Sequence, residues 1–349
     1  VSECKLLVVG AGRRVVEDVL PVLDTLAGTV SLTGILARTS RTEELAGRPR
    51  AITSLDEALA AGLHHEADLV YVVVAKGAVP GVLAKLASAG APSFGLLLET
   101  PGLLLKHLGH LKKLSPFPSV IMAEDCVALP WVSLVKRAVA DGPLGPLQEV
   151  VLDRSAWRYH GVALLKALLD APITSARRRS TKEDAGGEGA RVELRVRGGG
   201  RGLLIEPRDY ATGHVVLVGR DATASDAPER VPGAVPLAME PTADGAVDLV
   251  LGPHRETLLP EEAALVGEIS AGDRVTAHMH GLKRVGLRRL LMDRAAGRPG
   301  YPLSEGLDDM AVDAVLEKAG RWLATPITSL RSPLARSLAG LALRPLARG

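Results

Sequence analysis

Apolar and polar positions in the first third of the chain alternate between two rhythms. Lys5-Leu6-Leu7-Val8-Val9 is an unbroken run stopped by Gly10-Ala11-Gly12, the pattern of a strand buried on both faces. Val15, Val16, Val19, Leu20, Leu23 and Leu26 then recur at helical spacing, and Val30–Leu36 forms a second apolar run. Residues Lys5–Arg41 therefore predict a β-α-β unit. A short strand at Ala51–Thr53 leads into Ser54-Leu55-Asp56-Glu57, a capping box that starts a helix to about Gly62. Strands follow at Leu69–Val74, Ser93–Leu98 and Val120–Ala123, with helices at Ala78–Ser88 and from Pro101 through about Leu114. Strands alternating with helices predict a doubly wound parallel sheet over residues 1–125.

The rhythm changes at Pro130. A helix at Trp131–Ala140 ends at Asp141-Gly142-Pro143, a strand follows at Leu147–Arg154, and a helix after His160 buries Val162, Leu164, Leu165, Leu168 and Leu169. The polar, glycine-rich stretch Arg177–Gly189 predicts a loop. Val192–Val196, Gly202–Ile205, His214–Val218 and Ala246–Leu251 are short runs between turn residues, the pattern of an antiparallel sheet. Helices at about Asp273–Ala296 and Ser304–Ala324 close an α+β domain over residues 126–324. Residues 325–349 mix arginines with leucines, the pattern of a basic amphipathic tail.

Composition narrows the classes. Apolar residues make up 47 % of 349 but aromatics only 3 %, so Leu, Val and Ala must build the core. A net charge of +2 argues against a nucleic-acid partner. No apolar run is long enough for a membrane span and no signal peptide is visible, which points to a cytoplasmic protein. Cys4 and Cys126 lack metal-ligand spacing, and His278-Met279-His280 has no acid beside it; no metal is expected.

The glycine turn carries the first chemistry. A strand, a tight turn and a helix N-terminus place backbone N–H groups where a pyrophosphate can sit. Gly10 permits the turn and Gly12 lets a phosphate approach, with Arg13 beside it, while Val15 holds the place of the third glycine of G-x-G-x-x-G. The second strand closes without the acid that binds the ribose 2′-hydroxyl of NAD. Arg38, Thr39, Ser40 and Arg41 stand there instead and suit a 2′-phosphate, which predicts NADP. Lys76 lies beyond the carboxyl end of the next long strand, where such sheets bind ligands. Lys166 reads as a solvated lysine, and Tyr210 and His214 as structural.

Val8-Val9-Gly10-Ala11-Gly12, Ala67-Asp68-Leu69-Val70-Tyr71-Val72-Val73-Val74, Leu98-Glu99-Thr100-Pro101, the Asp141–Leu147 turn and the His160–Leu169 helix, in that order and spacing, resemble the glucose-fructose oxidoreductase and inositol dehydrogenase (Gfo/Idh/MocA) superfamily. The resemblance spans roughly Lys5 to Trp322. It implies a Rossmann domain, then an α+β domain whose open sheet forms a dimer face, and hydride transfer between a nicotinamide and a carbonyl, alcohol or imine. It places Glu99 near the nicotinamide ribose. It also implies a homodimer, with about Val192–Leu251 covering an outer face that would otherwise aggregate.

The departures decide among functions. Thr100 stands where the family's Glu-Lys-Pro has its lysine, and a hydroxyl cannot replace an ammonium acid. Ala156 and Ala163 stand at the acid positions around His160. His160 is left as proton donor, with Tyr159 as a second candidate on an adjacent and divergent position. Three readings follow. The first is an NADP-dependent reductase of an imine or ketone in a biosynthetic pathway, acting on a substrate without obvious charge. Gly34-Ile35-Leu36-Ala37-Arg38, and Glu99 with Pro101, bear some likeness to thiazolinyl imine reductases. The second is a sugar or cyclitol dehydrogenase. The third is a catalytically degenerate binding or scaffold protein that binds a partner or a peptide-like ligand and needs no cofactor.

Overall fold

The computed structural model describes residues 3–182 and 188–324; the basic tail expected at 325–349 lies outside the described residues. The chain divides into two compact units. One takes residues 3–124 and Leu287–Met310, the other Asp125–Gly286 and residues 311–324. Residues 287–310, read from sequence as part of the second domain, thus group with the first.

The first unit is built on an eight-stranded sheet in the order Tyr301–Pro302, Val120–Ala123, Gly95–Glu99, Leu69–Val72, Cys4–Val9, Val30–Ala37, Arg48–Ser54, Arg41–Leu45. Pairings are parallel except at the two edges. Leu6 through Val9 and Leu96 through Leu98 are almost wholly buried, as expected for strands covered on both faces. Helical residues after the glycine turn form a π-helical turn at Val15–Val19 and continue as the α-helix Leu20–Asp24. Val15, Val19, Leu20 and Leu23 are the buried stripe that the spacing predicts. Ser54 caps the helix Leu55–Ala60 by accepting the Glu57 N–H at 3.2 Å. Two expectations change here. Leu105–Leu114 is a 3₁₀-helix rather than an α-helix starting at Pro101. Arg41 opens a short edge strand, Arg41–Leu45, that the apolar pattern did not predict.

The second unit carries an eleven-stranded, mostly antiparallel sheet with Leu147–Asp153 near its middle, between Arg201–Glu206 and His214–Gly219. Parallel pairing occurs between Leu147–Asp153 and Arg201–Glu206, and between Thr223–Ser225 and Val235–Pro241. Most of the expected loop at Arg177–Gly189 is strand: Ile173–Lys182 pairs with Glu188–Val196. The arginines disguised it: Arg177 and Arg179 lie outward, while Arg178 between them faces the other way and pairs with Glu206 at 3.2 Å. Val192, Leu194 and Val196 are buried while Arg191 and Arg195 are exposed. That part of the open face is therefore charged, not the apolar surface from which cover by a second subunit was inferred. The last helix ends at Ala319, and Arg321–Leu323 adds an edge strand.

The helix Arg158–Leu169 buries Val162, Leu164, Leu165 and Leu168 against this sheet. Gly161 and Gly202 sit where a Cβ would press on Leu204 and Leu165 at 3.0 and 2.9 Å, so helix and sheet meet closely. Arg158 anchors the helix start. Its Nε donates to Asp313 at 2.7 Å, its Nη1 lies 3.3 Å from Glu206, and its Nη2 bonds Glu317. No helix among the described residues is long and apolar enough to cross a membrane.

Candidate functional site

Chemistry-bearing residues gather in two places, one in each unit. In the first unit the glycine turn is tightly constrained. Gly10 has φ +139°, and a Cβ there would lie 1.9 Å from the Val73 carbonyl oxygen. Its N–H bonds Leu36 O at 2.7 Å, and the Val73 N–H bonds Val9 O at 2.8 Å, so the turn is pinned from both neighbouring strands. Gly12 is different: nothing lies within 4 Å of the position its Cβ would take. The backbone is open there, which fits close approach of a phosphate group. Arg13 is exposed and pairs with Glu17 one turn on.

Of the four residues after the second strand, only Arg38 and Thr39 keep their side chains available. Arg38 is exposed and has no ion pair among the described residues. Arg41 Nε bonds Glu43 at 2.7 Å. Ser40 is built into the neighbouring helix start: its hydroxyl donates to Glu57 and accepts the Ser54 N–H at 2.7 Å. Those bonds hold the exposed Glu57 carboxyl below its usual range.

Arg14, which the sequence reading passed over, joins a network around Glu99. Its Nε donates to Glu99 Oε2 at 3.2 Å and its Nη1 lies 3.0 Å from Asp18. Tyr71 donates to the same Oε2, while Oε1 accepts the Thr100 N–H at 3.1 Å and the Thr100 hydroxyl at 3.2 Å. A carboxylate has about four acceptor sites, and here all are used. Lys76 lies beside this network, with Nζ 3.1 Å from the Glu99 carbonyl oxygen. Burial pushes the Lys76 ammonium pKa down, Glu99 pulls it back up, and the Arg14 charge adds to the lowering. Arg14 was legible only as the second member of an arginine doublet at the start of a helix.

In the second unit His160 stands in the first turn of Arg158–Leu169, half-buried, and Tyr159 is buried beside it. The two rings, expected to diverge, make an edge-to-face contact with centroids 5.4 Å apart. Asp125 and Cys126, on the 3₁₀ turn Asp125–Ala128, are both buried. A carboxylate oxygen of Asp125, Sγ of Cys126 and a ring nitrogen of His160 lie within 4.8 Å of one another. Such a set could hold a divalent ion, a grouping that sequence spacing hid because His160 comes from a different element. Lys283 brings its own positive charge there, with Nζ 3.5 Å from Asp125 Oδ1. Asp125 and Cys126 follow directly on the carboxyl end of a parallel strand. That position was the signal available in the sequence.

Around this group stand Tyr210, Arg208 and Trp157. Burial raises the Tyr210 phenol pKa, opposed by the nearby Lys283 charge and reinforced by Cys126. The Arg208 guanidinium lies 4.6 Å from the ring centre of Trp157 and 4.6 Å from that of Tyr210. Two other readings change. Lys166, expected in solvent, is buried. His278 does have an acid beside it, Asp273, at 2.8 Å.

No protein-family model matches the chain, and no curated relative matches it in sequence. Solved structures do match over most of its length. An oxidoreductase from Thermotoga maritima is 16% identical, with a TM-score of 0.61 over 94% of this chain and 99% of its own. The scyllo-inositol dehydrogenase of Lactobacillus casei, solved with NAD(H) and scyllo-inositol, is 12% identical, with a TM-score of 0.59 over 92% and 99%. GenD2 from gentamicin A biosynthesis, solved in complex with NAD, is 17% identical, with a TM-score of 0.58 over 93% and 97%. The two-unit α/β and α+β architecture implied by the Gfo/Idh/MocA resemblance is the fold of this chain, shared with these oxidoreductases.

Proposed function

We propose that this chain is an NADP-dependent oxidoreductase that reduces an imine or ketone of a small biosynthetic intermediate. The observation that carries this reading is the glycine turn. Its backbone is open at Gly12, at the carboxyl end of a central parallel strand. Arg38, exposed and without an ion pair among the described residues where an acid would select NAD, supports the choice of the phosphorylated nucleotide. When bound, that nucleotide supplies a hydride. The chain's own part is to hold the substrate and move a proton. His160 gives a proton from its ring to the oxygen or nitrogen that becomes basic as the carbon is reduced. Tyr159 fixes the imidazole plane through the edge-to-face contact. Thr100 takes no part, since its hydroxyl is spent on Glu99, and this weighs against an ordinary cyclitol dehydrogenase.

A second reading, a non-catalytic binding protein, is favoured by Glu99. With its acceptor sites taken by Tyr71, Arg14 and Thr100, it has none left for a ribose hydroxyl unless Arg14 withdraws. Fluorescence titration separates the two readings: NADPH should bind, and more tightly than NADH. In single-turnover reduction of a cyclic imine and a ketone, His160→Ala should be about 10²–10⁴-fold slower with NADPH affinity kept. Failure of the wild-type protein to bind either nucleotide would move the conclusion to the binding protein.

A further inference from the structure

Among the described residues Arg208 pairs with no carboxylate, yet it is not a loosely solvated side chain. Its guanidinium carbon lies over two aromatic rings, each centre 4.6 Å away. Contact with two rings restrains the guanidinium, and its planar fork offers several N–H donors to a ligand. Trp157, one of those rings, is the most exposed large apolar side chain among the described residues, at 54%. A large exposed aromatic beside an unpaired, restrained cation is costly to keep for stability alone, and it suits recognition of a ligand.

Trp157 ties the arginine to the neighbourhood of His160. It is the residue flanking the helix Arg158–Leu169, one turn ahead of His160. All of these residues belong to the second unit.

We infer that Arg208, in contact with Trp157 and Tyr210, is an anion subsite that binds a carboxylate or phosphate group of the substrate beside His160. This rests on the reading of His160 as proton donor and names the class of molecule it acts on: an anionic ketone or imine, in place of the uncharged substrate expected from sequence. A planar guanidinium can give two parallel N–H···O bonds to either oxyanion. It thereby sets which substrate atom faces the imidazole, and Trp157 covers the adjoining carbon skeleton.

Trp157 also supplies the assay, because Trp131 and Trp322 are buried. Acrylamide quenching of the full chain, without nucleotide, reads Trp157 selectively. Pyruvate, inorganic phosphate and methyl pyruvate are the probes, the last matching pyruvate without its charge. Either anion at millimolar concentration should shield Trp157 while methyl pyruvate does not, and the stronger of the two anions identifies the group. Arg208→Gln should weaken that protection at least tenfold, and Arg208→Lys should keep part of it with the fold unchanged by circular dichroism. Equal responses to all three probes, no response to either anion, or full protection in Arg208→Gln would each overturn the subsite. Since no turnover or nucleotide is involved, those results are distinct from a failure of the reductase reading, which NADPH binding decides.

Discussion

Gly10 and Gly12 stand two residues apart in one turn, and the structure gives them opposite jobs. In Gly10→Ala the new methyl would start 1.9 Å from the Val73 carbonyl oxygen, so the two must part by roughly 1 Å or more to reach ordinary contact. That movement pulls on the Gly10–Leu36 and Val73–Val9 backbone bonds. The φ of +139° adds strain of about 1–3 kcal/mol for any residue with a Cβ. With one buried bond lost at about 1–3 kcal/mol, the total is about 4 kcal/mol, a large share of a typical stability of about 5–15 kcal/mol. Gly12→Ala meets no atom within 4 Å and should change stability by less than about 0.5 kcal/mol. It should nonetheless weaken NADPH binding at least tenfold, because the methyl occupies the phosphate's approach. Urea unfolding followed by circular dichroism and NADPH fluorescence titration measure the two quantities. A Gly10→Ala protein with the wild-type midpoint, or a Gly12→Ala protein with wild-type affinity, would refute the reasoning.

Arg38→Ala should reduce the NADPH preference by roughly tenfold, the worth of one charge-assisted contact to phosphate. Arg41→Ala should change it far less, because Arg41 already bonds Glu43; equal effects in competitive titrations would count against this. Arg158→Met should cost about 3–5 kcal/mol in urea unfolding by stranding Asp313 and Glu206. Burial raises the Asp313 pKa, so the loss should shrink in acid, where a protonated Asp313 no longer needs the guanidinium. Burial likewise raises the pKa of Asp226, which accepts the Val215 N–H at 2.7 Å and the Thr276 hydroxyl at 2.6 Å. The folded chain therefore holds this proton more tightly than the unfolded one. That contribution is complete below the usual carboxylate pKa and is lost as pH rises through the raised value. Wild-type stability relative to Asp226→Asn should accordingly fall across that window, and a flat difference between pH 4 and 7 would contradict it.

Strand and helix positions in the first unit were legible because both-face burial writes strands as unbroken runs of Leu and Val. Ser54-Leu55-Asp56-Glu57 was legible as a cap because its bonds are local. Glu188–Val196 was half hidden because its outward positions Arg191, Glu193 and Arg195 are charged, which reads as loop when the partner strand is unknown. At the candidate site, Gly10, Gly12 and Arg38 could be found from their place after strands. Ser40 looked equally available, but its hydroxyl bonds lie across a turn of chain that one-dimensional spacing does not show. Lys283 and Arg208 were missed for the same reason: what brings Lys283 to Asp125 and Arg208 to Trp157 is the fold, not proximity in sequence.

The return of Leu287–Met310 to the first unit bears on how the protein is made. Tyr301–Pro302 lies along the outer side of Val120–Ala123, and Arg288 donates to the Thr25 hydroxyl at 3.3 Å. A ribosome that has delivered residue 125 has therefore not yet delivered the edge strand or the helix segment that complete the first unit. During synthesis that unit must wait, with the Val120–Ala123 backbone uncovered, until nearly the whole second unit has emerged. A fragment cut at residue 125 preserves that unfinished state permanently, and it should associate through the bare strand where the full chain does not.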